Sequence, residues 1–218
     1  MKDKGIKSLD SLIVTHFDND HCGGAVDLMN GLRVRRLYVN TLNHDSIAAK
    51  NIYETAKMRG VNVVLASNKQ NLYNENGFLM TNYINLHPMQ KSDNETSILT
   101  FLRYKDFSML FTGDSGIETF NSLKADLPRN ITVLKIGHHG AVGVVNKEMV
   151  DYIVPKYSLI SVGENKFGHP SMMTLDILSG TKILRTDINN SIRFVVDDKG
   201  LRIYTYDIKR RRYKRFAK

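Results

Sequence analysis

The chain has 218 residues, of which 42% are apolar and 24% charged, with a formal charge of +9 and one cysteine, Cys22. That length buries a real core and the composition is globular, so disorder is excluded; a single cysteine excludes an internal disulfide framework and points to a reducing compartment. No apolar run reaches the roughly 18–20 residues of a membrane helix, residues 12–14 are too short for a signal peptide, and no glycine-rich phosphate loop is present, which sets aside the common nucleotide-cofactor classes.

Residues 9–15 are apolar and β-prone and read as a buried strand. Residues 23–31 follow as a short helix, and 34–40 alternate as a strand. Residues 44–59 carry Ile47, Ala48, Ile52, Ala56 and Met58 at helical spacing, and Gly60 ends them. Residues 61–66 read as a strand, the polar 68–77 as a loop, and 78–87 as one or two strands. Residues 97–104 and 107–112 make a hairpin about Lys105-Asp106. A helix over 115–126, a strand over 131–136, a helix over 146–153 stopped before Pro155, a strand over 157–162 and a helix over 171–178 come next. Residues 182–185, 191–196 and 201–207 close the chain as strands. Strands outnumber helices and often follow one another directly. Sheets packed on each other with helices outside are therefore expected, not one doubly wound sheet.

Potential ligands gather where these strands end. His16-Phe17-Asp18-Asn19-Asp20-His21 places four of them in six residues, too dense for one face of a strand or helix. They fit a loop wrapped around metal ions, and imidazole with carboxylate suits Zn²⁺, Mn²⁺ or Fe²⁺ better than Ca²⁺ or Mg²⁺. Thr112-Gly113-Asp114 ends another strand, and its carboxylate has two oxygens with which to bridge a metal pair. His138-His139, between Gly137 and Gly140, ends a third; one ring can reach a metal while the other lines the pocket. His169, in Gly168-His-Pro-Ser171, can meet a substrate phosphate or a leaving group, while Ser171 reads as a helix N-cap. Asn94-Glu95-Thr96-Ser97 is placed to hold the loops by side-chain hydrogen bonds. His87 is a further candidate ligand, or simply a histidine closing a strand. Cys22 reads as a small buried apolar residue beside His21.

The run from Thr15 to His21 with Gly23-Gly24 resembles the H-x-[HDE]-x-D-H signature of the metallo-β-lactamase superfamily. Asn94–Ser97, Leu110–Asp114, Leu134–Gly140, Ile160–Gly163 and Gly168–Ser171 follow in the order of its ComEC-type branch, the hydrolase domain of the competence DNA-uptake channel and its stand-alone relatives. The resemblance runs from about Lys4 to Val196. It implies an αβ/βα four-layer sandwich, with His16 and Asp18 on one metal, Asp20 and His21 on the other, Asp114 bridging, and His139 or His138 completing a site. Two Zn²⁺ or Mn²⁺ ions are the implied cofactors. The chain begins inside the helix that precedes the first metal motif in this family, so an N-terminally truncated form of the fold is expected. Ala141 replaces a frequent serine, and Asn189-Asn190-Ser191 a glycine-containing turn.

The resemblance implies hydrolysis of phosphodiesters or nucleic acid by a metal-bound hydroxide, with Asp20 orienting the attacking oxygen and His169 or the second histidine of the pair serving the leaving oxygen. An inactive truncated fragment is one alternative. The other is a non-catalytic nucleic-acid-binding module that uses the basic terminus with Tyr213 and Phe216. Residues 209–218 hold seven basic side chains and no acidic one, while the rest carries 24 basic and 22 acidic ones. A domain over 1–208 is thus followed by a cationic tail, read as a solvated, disordered terminus or as a site for an anionic partner. Cytoplasmic location is the default expectation, and an extracytoplasmic one follows if the chain is part of a longer protein.

Overall fold

The computed structural model describes residues 5–89 and 92–216. Three strands, β1 (Ser8–Val14), β2 (Arg33–Val39) and β3 (Asn62–Leu65), form a parallel sheet in that order. Parallel neighbours need crossovers. The first is made by α1 (Asn19–Cys22) and α2 (Ala25–Gly31), the second by α3 (Ile47–Arg59). The signals read for α3 are in place: Ser46 caps it by accepting from the Ala49 N–H at 3.1 Å, and Gly60 ends it in the left-handed region. The helices bury Met29, Ile52 and Ala56 against Val14, Leu37 and Val39 of the sheet.

A second sheet has seven strands. β4 (Gln70–Glu75), β5 (Phe78–Tyr83), β6 (Leu99–Tyr104) and β7 (Phe107–Phe111) run antiparallel; β8 (Val133–Lys135), β9 (Tyr157–Ile160) and β10 (Lys182–Arg185) continue parallel to β7. The crossovers are α4 (Ile117–Leu123), α5 (Lys147–Ile153) and α6 (Met172–Ile177). Side chains alternate across a strand, and the two faces of this sheet have different partners. Leu110 and Leu134 point to the helices with Phe120, Ile153 and Leu178. Met109 and Val133, one residue earlier in each strand, point the other way, to a third sheet. That sheet is β11 (Ile192–Asp197), β12 (Gly200–Asp207) and β13 (Arg212–Arg215), all antiparallel, and it supplies Ile203 and Phe194. The short helix α7 (Thr186–Asn189) precedes it. Ile13 of β1 packs on Ala66, Ile84 and Ile98, and Ser11 Oγ lies 3.1 Å from Tyr73 Oη, which joins the first sheet to the second. Helices thus lie outside two sheets, as expected of an αβ/βα sandwich.

Two expectations need correction. Residues 68–77 are not a loop: β4 pairs with β5, and Asn76-Gly77 make the turn with positive φ at both positions. Asn-Gly between paired strands is a strong hairpin signal; the polar composition masked it because β4 is an edge strand. The basic terminus is not a free tail through residue 216. Tyr213 pairs with Tyr206 and Arg215 with Tyr204, and the Phe216 N–H donates to the Ile203 carbonyl at 2.7 Å. Residues 1–4, where the chain is expected to begin within a helix of the family, and Ala217 and Lys218 lie outside the described residues. No described helix is long and apolar enough to cross a membrane.

Candidate metal centre

Four loops meet at one end of the sandwich, each leaving the C-terminal end of a parallel strand: 15–18 after β1, 112–116 after β7, 137–140 after β8 and 161–171 after β9. Clefts of this kind are the usual ligand sites of parallel sheets. Backbone contacts lock the loops together. The Ile98 N–H donates to the Thr15 carbonyl at 3.0 Å, and the Ser171 N–H to the Gly140 carbonyl at 2.9 Å. A Cβ on Gly137 would stand 2.4 Å from the Ser115 carbonyl oxygen, so only glycine lets the loops after β7 and β8 approach this closely.

Side chains of Asp20, His21, Asp114 and His139 converge there, each offering one ligand atom within 4.8 Å of the others. The ring nitrogens turned away from the cleft are held by outer partners. His139 Nδ1 donates to the Ser161 carbonyl at 2.7 Å, and Thr15 Oγ1 lies 3.4 Å from His21 Nδ1. Such outer partners orient metal-ligating imidazoles. With its proton on Nδ1, a neutral His139 presents a bare Nε2, which sits 3.0 Å from Asp20 Oδ2. Two acceptors at that distance need a proton or a cation between them. His21 Nε2 is buried, 3.1 Å from Asp114 Oδ1 and 3.4 Å from Asp20 Oδ2, without an aligned hydrogen bond to either. The donor set therefore fits a divalent cation.

His16 and Asp18 stand beside this group. The His16 ring lies 4.2 Å from the His21 ring and is wholly buried. Its Nδ1 is 3.2 Å from Ser97 Oγ and 3.1 Å from Thr15 Oγ1, while its buried Nε2 has no hydrogen-bond partner and lies 3.6 Å from Asp18 Oδ2. Asp18 occupies the N-cap of α1, yet its side chain makes no capping bond, which leaves the carboxylate facing His16. Burial, then the neighbouring His21, pushes the His16 imidazole down, so it stays neutral and ligand-competent.

Burial alone would raise the Asp114 carboxyl. The His21 ring, the Lys135 ammonium and the His138 backbone N–H at 3.0 Å outweigh it and hold the group well below the usual carboxylate range. Lys135 Nζ is 3.8 Å from Asp114 Oδ1 and donates to the Gly113 carbonyl at 3.0 Å. Glu95 fastens the same loop from the other side: its carboxylate accepts from the Gly116 N–H (3.1 Å) and from the Thr119 N–H (2.9 Å) and hydroxyl (2.6 Å).

The two adjacent histidines part company. Both take positive φ, and that turn sends His139 into the cluster and His138 out of it. The Asn94 amide donates to His138 Nδ1 at 3.3 Å, and the His138 ring lies 5.8 Å from that of His169. His138, expected as an alternative to His139, is therefore outside the group that converges. His169 sits at the rim, stacked on Phe167 at 5.8 Å. His87 is exposed and outside the cluster, with its backbone N–H on Asn85 Oδ1. Ser171 caps α6 by accepting from the Thr174 N–H at 3.1 Å. Cys22 is buried, and that burial pushes its thiol up, in keeping with an apolar role. The sequence reading overlooked Lys135 and the role of Thr15. Thr15 adjoins the first motif and Lys135 ends a strand whose loop carries His138, but neither is marked by periodicity. His44, 3.1 Å from Asp93 and 4.8 Å from the Phe17 ring, was also overlooked.

The profile of the metallo-beta-lactamase superfamily matches residues 1–164. The chain belongs to that superfamily. ComE operon protein 3 of Bacillus subtilis (strain 168) is 31% identical over 207 residues, 88% of this chain and 25% of its own length. Competence protein ComA of Neisseria gonorrhoeae is 24% identical over 214 residues, 93% of this chain and 28% of its own. Both agree with the ComEC-type branch, and this superfamily member spans about a quarter of the length of the curated relatives it matches. CmlA, a diiron beta-hydroxylase from Streptomyces venezuelae, shares the fold, with a TM-score of 0.54 at 16% identity over 83% of this chain and 44% of that one. Within this metallo-beta-lactamase domain Ser97 ties the two halves of the cluster, since its hydroxyl also accepts from the Asp114 N–H at 3.2 Å. Outer partners of this kind are worth roughly 10–100-fold in metal affinity. Ser97→Ala should weaken divalent-metal binding, zinc or manganese, by about that factor in a competition titration, and an unchanged affinity would show that the tie is idle.

Proposed function

We propose that the chain is a dinuclear metal-dependent hydrolase acting on phosphodiesters, with nucleic acid as the substrate class. The observation that carries this reading is the convergence of Asp20, His21, Asp114 and His139 with their bare ligand atoms inward, and of His16 and Asp18 beside them. Asp20, His21 and His139 would hold one cation, His16 and Asp18 the other, and Asp114 would serve both. Two such ions, zinc or manganese, acidify a bound water and neutralise phosphoryl oxygens. Asp20 orients the attacking oxygen through its exposed carboxylate. Burial, then the neighbouring His138 and His139, lowers the His169 ring, so it is neutral at physiological pH and offers one N–H to a phosphoryl or leaving oxygen.

The rim favours a substrate with bases. Phe167 is 81% exposed and lies nearly parallel to His169, at 22°. An aromatic face of this kind stacks on bases, worth roughly 1–3 kcal/mol each. Phe167→Ala should raise KM for a short single-stranded oligonucleotide about ten-fold, with kcat and the hydrolysis of a small chromogenic diester unchanged. Equal losses on both substrates would remove the stacking role. The reading as a whole is tested by metal content, measured by mass spectrometry on protein purified without chelator or metal-affinity resin. About two equivalents of zinc or manganese per chain are expected for a dinuclear site; soluble, folded protein that takes up neither metal would overturn it.

A further inference from the structure

At the opposite end of the seven-stranded sheet, a cavity of about 370 Å³ lies between the starts of β9 and β10 and the third sheet. Five cationic side chains line it: Lys156, Lys182, Lys199, Arg202 and Arg215. Arg202 is paired with Asp197 at 2.5 Å. The other four have no carboxylate partner among the described residues, and all four are exposed. Strand pairing holds them together. The Lys182 N–H donates to the Lys156 carbonyl at 3.2 Å, and both ammonium groups lie over the buried Tyr157 ring, at 5.8 and 5.9 Å. Arg215 is brought in by the pairing of β13 with β12.

Like charges around one concavity repel each other, and a concave low-dielectric wall focuses their field outward. Such a site is relieved by an anion. The edge strand β13 carries two further cations, Lys214 and Arg212, on the face opposite Arg215, with Asp207 4.0 Å from Lys214. One small anion in the cavity would leave these flanking cations unused. A flat bilayer surface does not enter a concavity, and a duplex is too wide for it.

We propose that this cavity is a second, non-catalytic site that binds the phosphate backbone of a single-stranded nucleic acid. Its residues lie at the starts of β9 and β10 or in the third sheet and its turn, whereas the metal-centre loops leave the opposite, C-terminal ends of β1, β7, β8 and β9. The two sites are therefore separable, and the proposal stands whether or not the chain is a phosphodiesterase.

The probe is a short fluorescent oligothymidine with phosphorothioate linkages that resist cleavage, titrated by anisotropy at several salt concentrations. The double variant Lys156→Gln, Lys182→Gln should bind about ten-fold more weakly, and the slope of log affinity against log salt should fall by about 1.4, since each lost single-strand phosphate contact is worth roughly 0.7. A control with the same charge loss elsewhere, Lys50→Gln, Lys57→Gln on exposed positions of α3, should bind like the parent. Hydrolysis of a small chromogenic diester should be the same in all three proteins. Parental affinity in the cavity variant overturns the proposal. So does an equal loss in the control, which would reduce the effect to net charge. Binding of the parent to anionic vesicles but not to the oligonucleotide would also overturn it and assign the surface to a membrane.

Discussion

Asp114→Ala should abolish the proposed metal-dependent phosphodiesterase activity, with a fall in kcat/KM well beyond the roughly 10–100-fold that loss of an outer-shell partner costs. Asp114 is 4% exposed; its carboxylate accepts from the His138 backbone N–H and lies 3.1 Å from His21 Nε2 and 3.8 Å from the Lys135 ammonium. Its removal takes away a carboxylate that converges with Asp20, His21 and His139. It also deprives Lys135, 13% exposed, of the carboxylate 3.8 Å from its ammonium, which still donates to the Gly113 carbonyl. An unpaired buried charge is strongly destabilising. Metal content should therefore be measured on the same preparation, together with far-UV circular dichroism. Asp114→Asn, which keeps the shape and an acceptor oxygen but not the charge, should retain the fold and still lose the activity. Full turnover in either variant would sink the assignment of this centre.

The second large effect concerns stability. Glu95→Ala should lower the unfolding free energy by about 3 kcal/mol, because a hydrogen bond to a charged group contributes roughly 1.5–3 kcal/mol and the donors left behind belong to buried residues. Those donors are the backbone N–H groups of Gly116 and Thr119 and the Thr119 hydroxyl. They form the first turn of α4, whose N-cap residue, Gly116, has no side chain with which to satisfy them. The Glu95 carboxylate is a cap supplied from a distant loop, in the position that the positive end of a helix favours. For a domain of this size the loss corresponds to a fall in Tm of roughly 6–12 °C. Urea denaturation should show a lower midpoint with an unchanged slope. Glu95→Gln, which preserves an acceptor, should recover part of the loss; a Glu95→Ala variant as stable as the parent would remove Glu95 from the architecture of the loop.

Much of this was legible in the sequence because its causes are local. Ile47, Ile52 and Ala56 lie at helical spacing between Ser46 and Gly60, and the helix they announce is there. The hairpin about Lys105-Asp106 is in register, with Tyr104 opposite Phe107. Dense ligand runs at strand ends, His16 to His21 above all, announced the cluster, but the expected loop is partly helical: Asp18 is the N-cap of α1, and Asp20 and His21 lie within it. Composition misled where a polar segment was stabilised by its neighbour. Gln70–Glu75 reads as loop until β5 pairs with it, and Arg212–Arg215 reads as a solvated tail until β12 does. The energy of both strands comes from hydrogen bonds to another segment, and no pattern within a strand records its partner.

Residue types and their order thus determined the fold class, the helix caps and the inventory of ligands, since periodicity, capping and donor chemistry are properties of short stretches of chain. Tertiary structure alone decided which ligands meet. Successive positive φ values at His138 and His139 send one ring to Asp20 and the other to Asn94. Ser97, far along the chain from both, settles between His16 and Asp114. Lys156 and Lys182 come to share one ring, and with it one cavity, because β9 and β10 pair side by side. The range of the interactions is the physical reason: a backbone torsion or a cap is set within a few residues, whereas a metal cluster, a buried counter-charge or a cationic cavity exists only once separate strands have been brought to the same end of a sheet.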